Sequence, residues 1–124
     1  MENQITPAVF PNISKQVKII CEAANGPTTP DCDKLIQERG IVLLPDFLTN
    51  AGGVTCSYFE QVQCNMNYFW GEEEVNEKLK YIMTKAFKAV YDLAQEKDLY
   101  MRDAAYVIAI NRVVNAAELR GWIK

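Results

Sequence analysis

The sequence contains no histidine, and that absence excludes several mechanisms at once. Without an imidazole, neither a Ser-His-Asp nor a Cys-His arrangement can be built from this chain's own residues. Any general base would have to be Lys, Asp, Glu or Tyr. C-x-x-C spacing is also missing: the four cysteines are Cys21, Cys32, Cys56 and Cys64. Cys56 and Cys64 are expected on one helix, about 12 Å apart, which is too far for a disulfide. The expectation is reduced, mostly buried thiols and no metal site. Long apolar runs are absent too. The longest, Ala104 to Ile110, is far short of the ~18 residues of a membrane span, so no membrane partner is expected. No basic stripe runs along a chain of formal net charge −3, which argues against nucleic acid. Met1 is followed by Glu2 and Asn3 rather than a basic and then an apolar stretch, so no signal-peptide pattern appears and a cytoplasmic location is expected.

What is present fits a globular chain: 124 residues, 49% hydrophobic and 23% charged. Lys18 to Cys21 is a short β-prone run, read as a buried strand. It ends in Ala23-Ala24-Asn25-Gly26-Pro27, which is turn chemistry. A helix start follows, with Thr29 as N-cap, Pro30 at the first helical position, and Asp31 and Asp33 in the first turn. That helix is expected to run to about Arg39, with Gly40 as its stop. Ile41 to Leu44 is a second apolar strand, closed by Pro45. Strand, loop, helix, strand with apolar strands indicates a parallel α/β sheet. The right-handed crossover then places the loops after both strands at one edge of that sheet, so Asn25-Gly26 and Asn50 to Gly53 should lie close together. Ligands of open α/β sheets bind at that carboxyl edge.

Helices are expected from about Ala51 to Asn65, from Glu72 onward, and from Met101 to Glu118, with a loop at Tyr68 to Gly71. The second has apolar positions Val75, Leu79, Ile82, Met83, Ala86, Phe87, Val90 and Leu93 at helical spacing, and its acidic start is most simply a favourable helix N-terminus. Two strands buried on both faces need neighbours. The pattern reads as part of a larger doubly wound domain.

Two segments stand out, Glu22 to Asp31 and Pro45 to Glu60, each a strand-end loop feeding a helix. Gly52 and Gly53 lack a Cβ and permit close approach. The helix start after them favours a carboxylate or phosphate. Asn50 offers an amide donor and acceptor there. Val54 and Ser57, three apart, present an apolar wall and a hydroxyl to one pocket. On spacing alone, Asn-Ala-Gly-Gly is also a common turn, and Asn25-Gly26-Pro27 is more often a tight turn than a ligand contact.

These segments extend into a chain-long resemblance: ENQIT at Glu2 to Thr6, ANGPTTP at Ala24 to Pro30, ERGI at Glu38 to Ile41, PDFL at Pro45 to Leu48 and NAGGVTCSYFE at Asn50 to Glu60, then EEEVNEKL at Glu72 to Leu79, MTKAF at Met83 to Phe87, MRDAAYV at Met101 to Val107 and LRGW at Leu119 to Trp122. The sequence resembles the glutamate dehydrogenases, within the wider amino-acid dehydrogenases that also act on leucine, valine and phenylalanine. The resemblance implies the C-terminal part of a Rossmann-like, doubly wound dinucleotide-binding domain in residues 1–71, with C-terminal helices in 72–124 packing on it and on a substrate domain. It implies NAD- or NADP-dependent oxidative deamination of glutamate to 2-oxoglutarate and ammonia, in a homo-oligomer that is hexameric in the family. By carry-over, Asn25 and Asn50 line the cofactor site near its ribose and nicotinamide. Val54 walls the substrate side chain, and Ser57 binds its carboxylate, which favours glutamate over leucine or phenylalanine.

Ala23 departs from the family's usual Gly, and a methyl there would crowd a backbone that needed positive φ. Gln61 departs from a common Trp and is read as a surface or interface change. The family's catalytic lysine, its aspartate and its G-x-G-x-x-G/A loop are not in this sequence, and Lys34, Lys78, Lys80, Lys85 and Lys88 fall at ordinary helix-surface positions. No catalytic residue is therefore assigned. The chain reads as the C-terminal portion of such an enzyme, inactive by itself; the alternative is a non-catalytic homologue serving oligomer contacts or regulation.

Overall fold

The computed structural model describes residues 2–123. Strand β1 (Ile19–Cys21) pairs in parallel with β2 (Val42–Leu44), in the register Ile19 to Val42, Ile20 to Leu43 and Cys21 to Leu44. Between them, α1 (Pro30–Glu38) makes the crossover. The expected parallel α/β strand pair is therefore present. The strands are less buried than their composition implied. Ile20 and Leu43 face the α1 core, and Leu43 is fully buried. Their neighbours Ile19 and Val42 are 61% and 44% exposed.

Local chemistry explains the boundaries. Pro30 opens α1 after an extended Thr29, and Gly40 closes it at φ +70°, a left-handed position that a Cβ disfavours. Thr29 stands at the expected cap position, but its hydroxyl donates to the carbonyl of Ile5 at 3.4 Å instead of capping α1. Pro45, read as the end of a strand, is also the extended residue before α2 (Asp46–Thr49), a short helix the sequence pattern did not reveal. It runs through Asn50 into α3 (Ala51–Met66), which ends at a left-handed Asn67. Helix α4 (Glu72–Lys97) carries Glu72, Glu73 and Glu74 in its first turn and Lys97 in its last, both signs complementing the helix dipole. A left-handed Asp98 ends it before α5 (Met101–Leu119).

Two cores result. Cys32, Ile36, Ile41 and Leu43 join α1 to the sheet, with Tyr100 packed against them. Leu48, Val90, Ala94, Met101, Ala104 and Ala105 join α2, α4 and α5. Of the small residues of α5, Ala104 and Ala105 are buried in this second core, while Ala109 and Ala116 are exposed. The cysteines are all free, but the expectation of mostly buried thiols is wrong: Cys32 is buried, Cys56 half-buried, and Cys21 and Cys64 exposed. Cys21 lies on the open side of a two-stranded sheet and Cys64 on the outer side of α3. Burial and the neighbouring Asp33 charge push the Cys32 thiol pKa up.

Candidate functional site

The loops after β1 and β2 meet at the carboxyl edge of the strand pair. The side-chain amide of Asn50 donates to the side-chain oxygen of Asn25 at 2.7 Å, across 25 positions of sequence. The crossover geometry expected from the sequence is thus realised. Asn25 is exposed and Asn50 half-buried. Each retains unshared capacity, an amide group on Asn25 and a carbonyl oxygen on Asn50.

Beneath this pair, the two loops are cross-linked. The Gly26 N–H donates to Asp46 Oδ2 at 2.8 Å, and the Asp46 N–H donates to Glu22 Oε2 at 3.0 Å. Gly26 adopts φ +52°, which turns its N–H toward Asp46 without a Cβ penalty. Residues 3–5 brace the first loop from outside: Asn3 and Ile5 N–H groups donate to the carbonyls of Gly26 and Pro27, each at 2.8 Å. Ala23 is not among the residues with positive φ, so its methyl does not strain the loop.

Arg102, in the first turn of α5, closes the arrangement from below. It donates to both Glu22 oxygens at 2.8 and 2.9 Å and to both Asp33 oxygens at 3.0 and 3.1 Å, with Asp46 3.7 Å away. The Glu22 side chain is fully buried, and that of Arg102 is 14% exposed. Burial by itself would lower the Arg102 pKa, but its bonds to Glu22 and Asp33 outweigh this and raise it, so the guanidinium stays charged. The Tyr100 hydroxyl donates to Asp33 at 3.2 Å. Burial and the Asp33 charge raise the Tyr100 pKa. This network escaped the sequence reading. MRDAAYV marked Arg102 as part of a resemblance, but nothing local connects it to Glu22, 80 positions away.

Val54 and Ser57 lie one turn apart near the start of α3. Both face outward: Val54 is 70% exposed and Ser57 is also exposed. Among the described residues, no heavy atom outside its own stretch of helix lies within 4 Å of where a Cβ on Gly53 would stand. Close to the same rim, α2 and α4 enclose an apolar recess of about 300 Å³ lined by Leu44, Leu48, Met83 and Phe87. Gln61 is exposed. Of the five lysines considered, Lys34, Lys80, Lys85 and Lys88 are exposed. Lys78 is half-buried, 3.4 Å from Glu74 and 4.7 Å from the centre of the Trp70 ring.

The family model for glutamate/leucine/phenylalanine/valine dehydrogenases matches residues 1–121. The chain belongs to that family. It is 52% identical over 122 residues to the NAD-specific glutamate dehydrogenases of Clostridioides difficile and Staphylococcus aureus. Those matches cover 98% of this chain but only 28% and 29% of the relatives' length. Among solved structures, glutamate dehydrogenase from Peptoniphilus asaccharolyticus superposes with a TM-score of 0.90 at 49% identity, covering 99% of this chain and 31% of that one. The hetero-hexameric glutamate dehydrogenase of Thermus thermophilus, in a Leu-bound form, gives 0.80 at 31% identity, over 85% of this chain and 25% of that one. The rim, its amide pair and the Arg102 network therefore sit within the architecture of an amino-acid dehydrogenase.

Proposed function

We propose that this chain supplies one wall of the NAD site of a glutamate dehydrogenase, with Asn25 and Asn50 toward the nicotinamide and ribose and with Val54 and Ser57 toward the amino-acid side chain. Residues 1–71 act as the partial dinucleotide-binding unit, and residues 72–124 are the helices that pack on it. The observation that carries the reading is the hydrogen-bonded amide pair at the carboxyl edge of a parallel strand pair, the place where open α/β sheets bind ligands. The residues present fit the coenzyme. A nicotinamide carboxamide needs one acceptor and one donor, and the Asn50 oxygen and Asn25 amide leave one of each. The space beside Gly53, where a Cβ would meet nothing within 4 Å, leaves room for close approach on that side of α3.

NAD, when bound, accepts the hydride from the amino acid's α-carbon. The chain's own residues orient and select. The amide pair fixes which face and rotation of the carboxamide is presented. The Ser57 hydroxyl donates to the distal carboxylate of glutamate, while Val54 excludes water from the methylene stem. Proton transfer is assigned to no residue of this chain, and the chain by itself is inactive. The names of the relatives favour NAD over NADP.

Two measurements test the reading. Titrating NAD into the 15N-labelled chain should give saturable shifts at the Asn25 and Asn50 side-chain amides and at Gly52 and Gly53. Shifts confined to another face, or none at millimolar NAD, would refute the cofactor assignment. Replacing the matching segment of the Clostridioides difficile enzyme with this chain should preserve glutamate oxidation. In that chimera Ser57→Val should weaken glutamate use by about tenfold or more. Unchanged glutamate kinetics would remove Ser57 from the site.

A further inference from the structure

We infer that Arg102 is a positioning residue: from the first turn of α5 it sets the geometry of the Asn25–Asn50 amide pair through Glu22 and Asp46. Its significance for catalysis rests on the cofactor reading of that pair; the arrangement itself is argued from geometry alone.

Glu22 is the last residue before the first rim loop, and its side chain is fully buried. Its Oε2 takes two bonds, from Arg102 at 2.9 Å and from the Asp46 N–H at 3.0 Å. Without the guanidinium, a carboxylate in that position would be an uncompensated buried charge, which must rotate, protonate or admit water. Any of those outcomes alters its bond to the Asp46 N–H, and Asp46 begins the helix that delivers Asn50 to the rim. Asp46 in turn accepts the Gly26 N–H at 2.8 Å, immediately after Asn25. Arg102 therefore reaches both asparagines by a chain of bonds while touching neither. A planar fork suits this role, because it holds Glu22 with two parallel bonds and Asp33 with two more, fixing direction as well as charge. Asp33 lies on α1, so its bonds anchor the guanidinium to the crossover helix and do not bear on the rim directly.

The test is site-resolved hydrogen exchange on the full 124-residue chain, with the side-chain amide resonances of Asn25 and Asn50 recorded alongside. Arg102→Gln should lower protection of the Gly26 and Asp46 amides by about tenfold or more beyond any change at the amides of Ile41 and Val42, which donate to the carbonyls of Ile36 and Lys18. The Asn50 side-chain resonances should move toward those of a free asparagine amide. Arg102→Lys keeps the charge and stem but loses the fork, and should lower protection at the same two amides by less; it serves as the second variant should Arg102→Gln fail to fold. Asp33→Asn removes a partner of Arg102 on the other side, and should leave the Asn50 resonances in place. Loss of protection by one common factor across the chain would mean that Arg102 only adds bulk stability, and would overturn the inference. So would unchanged Gly26 and Asp46 protection in Arg102→Gln. No nucleotide enters this experiment, so failure of NAD to bind the wild-type chain would strike the cofactor reading and leave this one standing.

Discussion

Tyr100 joins a hydrophobic core to an ion pair, and its titration follows from that position. Its ring packs with Cys32 and Ile36, and its hydroxyl donates to Asp33. Burial and the adjacent negative charge favour the neutral phenol, so the folded chain holds that proton more tightly than the unfolded chain does. The contribution is fully present below the unfolded pKa near 10 and is lost as pH rises through the raised folded value. Stability should therefore fall above about pH 10, and Tyr100→Phe should flatten that fall while costing about 1 kcal/mol at neutral pH for the lost hydrogen bond. Denaturant melts at pH 8 and 11 decide it, and parallel alkaline losses in both proteins would sink the claim. A different residue effect is expected at Leu43, fully buried on the face of β2 that packs against α1. Leu43→Ala should cost about 2–5 kcal/mol through lost transfer energy and the cavity left behind, read from the same melts. Residues of the two kinds differ in how they show in sequence. The meeting of Asn25 and Asn50 was legible because a strand–helix–strand order sets the loops after both parallel strands at one edge. Arg102 was not, because an ion pair spanning 80 positions leaves no local pattern.

At the scale of elements, α4 was the most legible, since a 3.6-residue period repeated over many turns is hard to mistake. The α4 start at Glu72 and the α5 start at Met101 fall at the expected positions. Helix α2 escaped because four residues are too few to display a period, and because Pro45 reads equally as a strand's end and a helix's threshold. The exposure of β1 and β2 escaped for a different reason. A short apolar run states that a strand is hydrophobic, but not whether a neighbour lies within the same chain to cover it. Turn chemistry was the more dependable signal, and Gly40 allows it to be tested. At φ +70° a Cβ meets nothing within 4 Å, so the penalty is purely backbone strain. Gly40→Ala should destabilise the chain by about 1–2 kcal/mol without altering the amide-pair resonances. No loss of stability would show that this position relaxes out of the left-handed region.

For the molecule as a whole, one face of a two-stranded sheet lies open. The residues Ile19 and Val42 are register partners on it, 61% and 44% exposed, beside the exposed thiol of Cys21. Strand pairs of this size are marginal in water unless further strands or a packed layer support them. Here the α1 core supports one face, leaving apolar side chains on the other and unpaired N–H and C=O groups on the outer strand edges among the described residues. Such a surface is a template for pairing and for apolar contact. The 124-residue chain on its own is expected to self-associate in a concentration-dependent manner. Charges placed on the open face should oppose this without touching the α1 core, so the double substitution Ile19→Lys and Val42→Lys should shift the sedimentation distribution toward monomer while the Asn50 side-chain resonances stay in place. The second condition matters because the rim is fixed from the opposite direction, by Glu22, Asp46 and α5, none of which depends on those two side chains. A wild-type chain that sediments as a clean monomer at high concentration would show that the open face is tolerated by water and that the strand pair needs no cover.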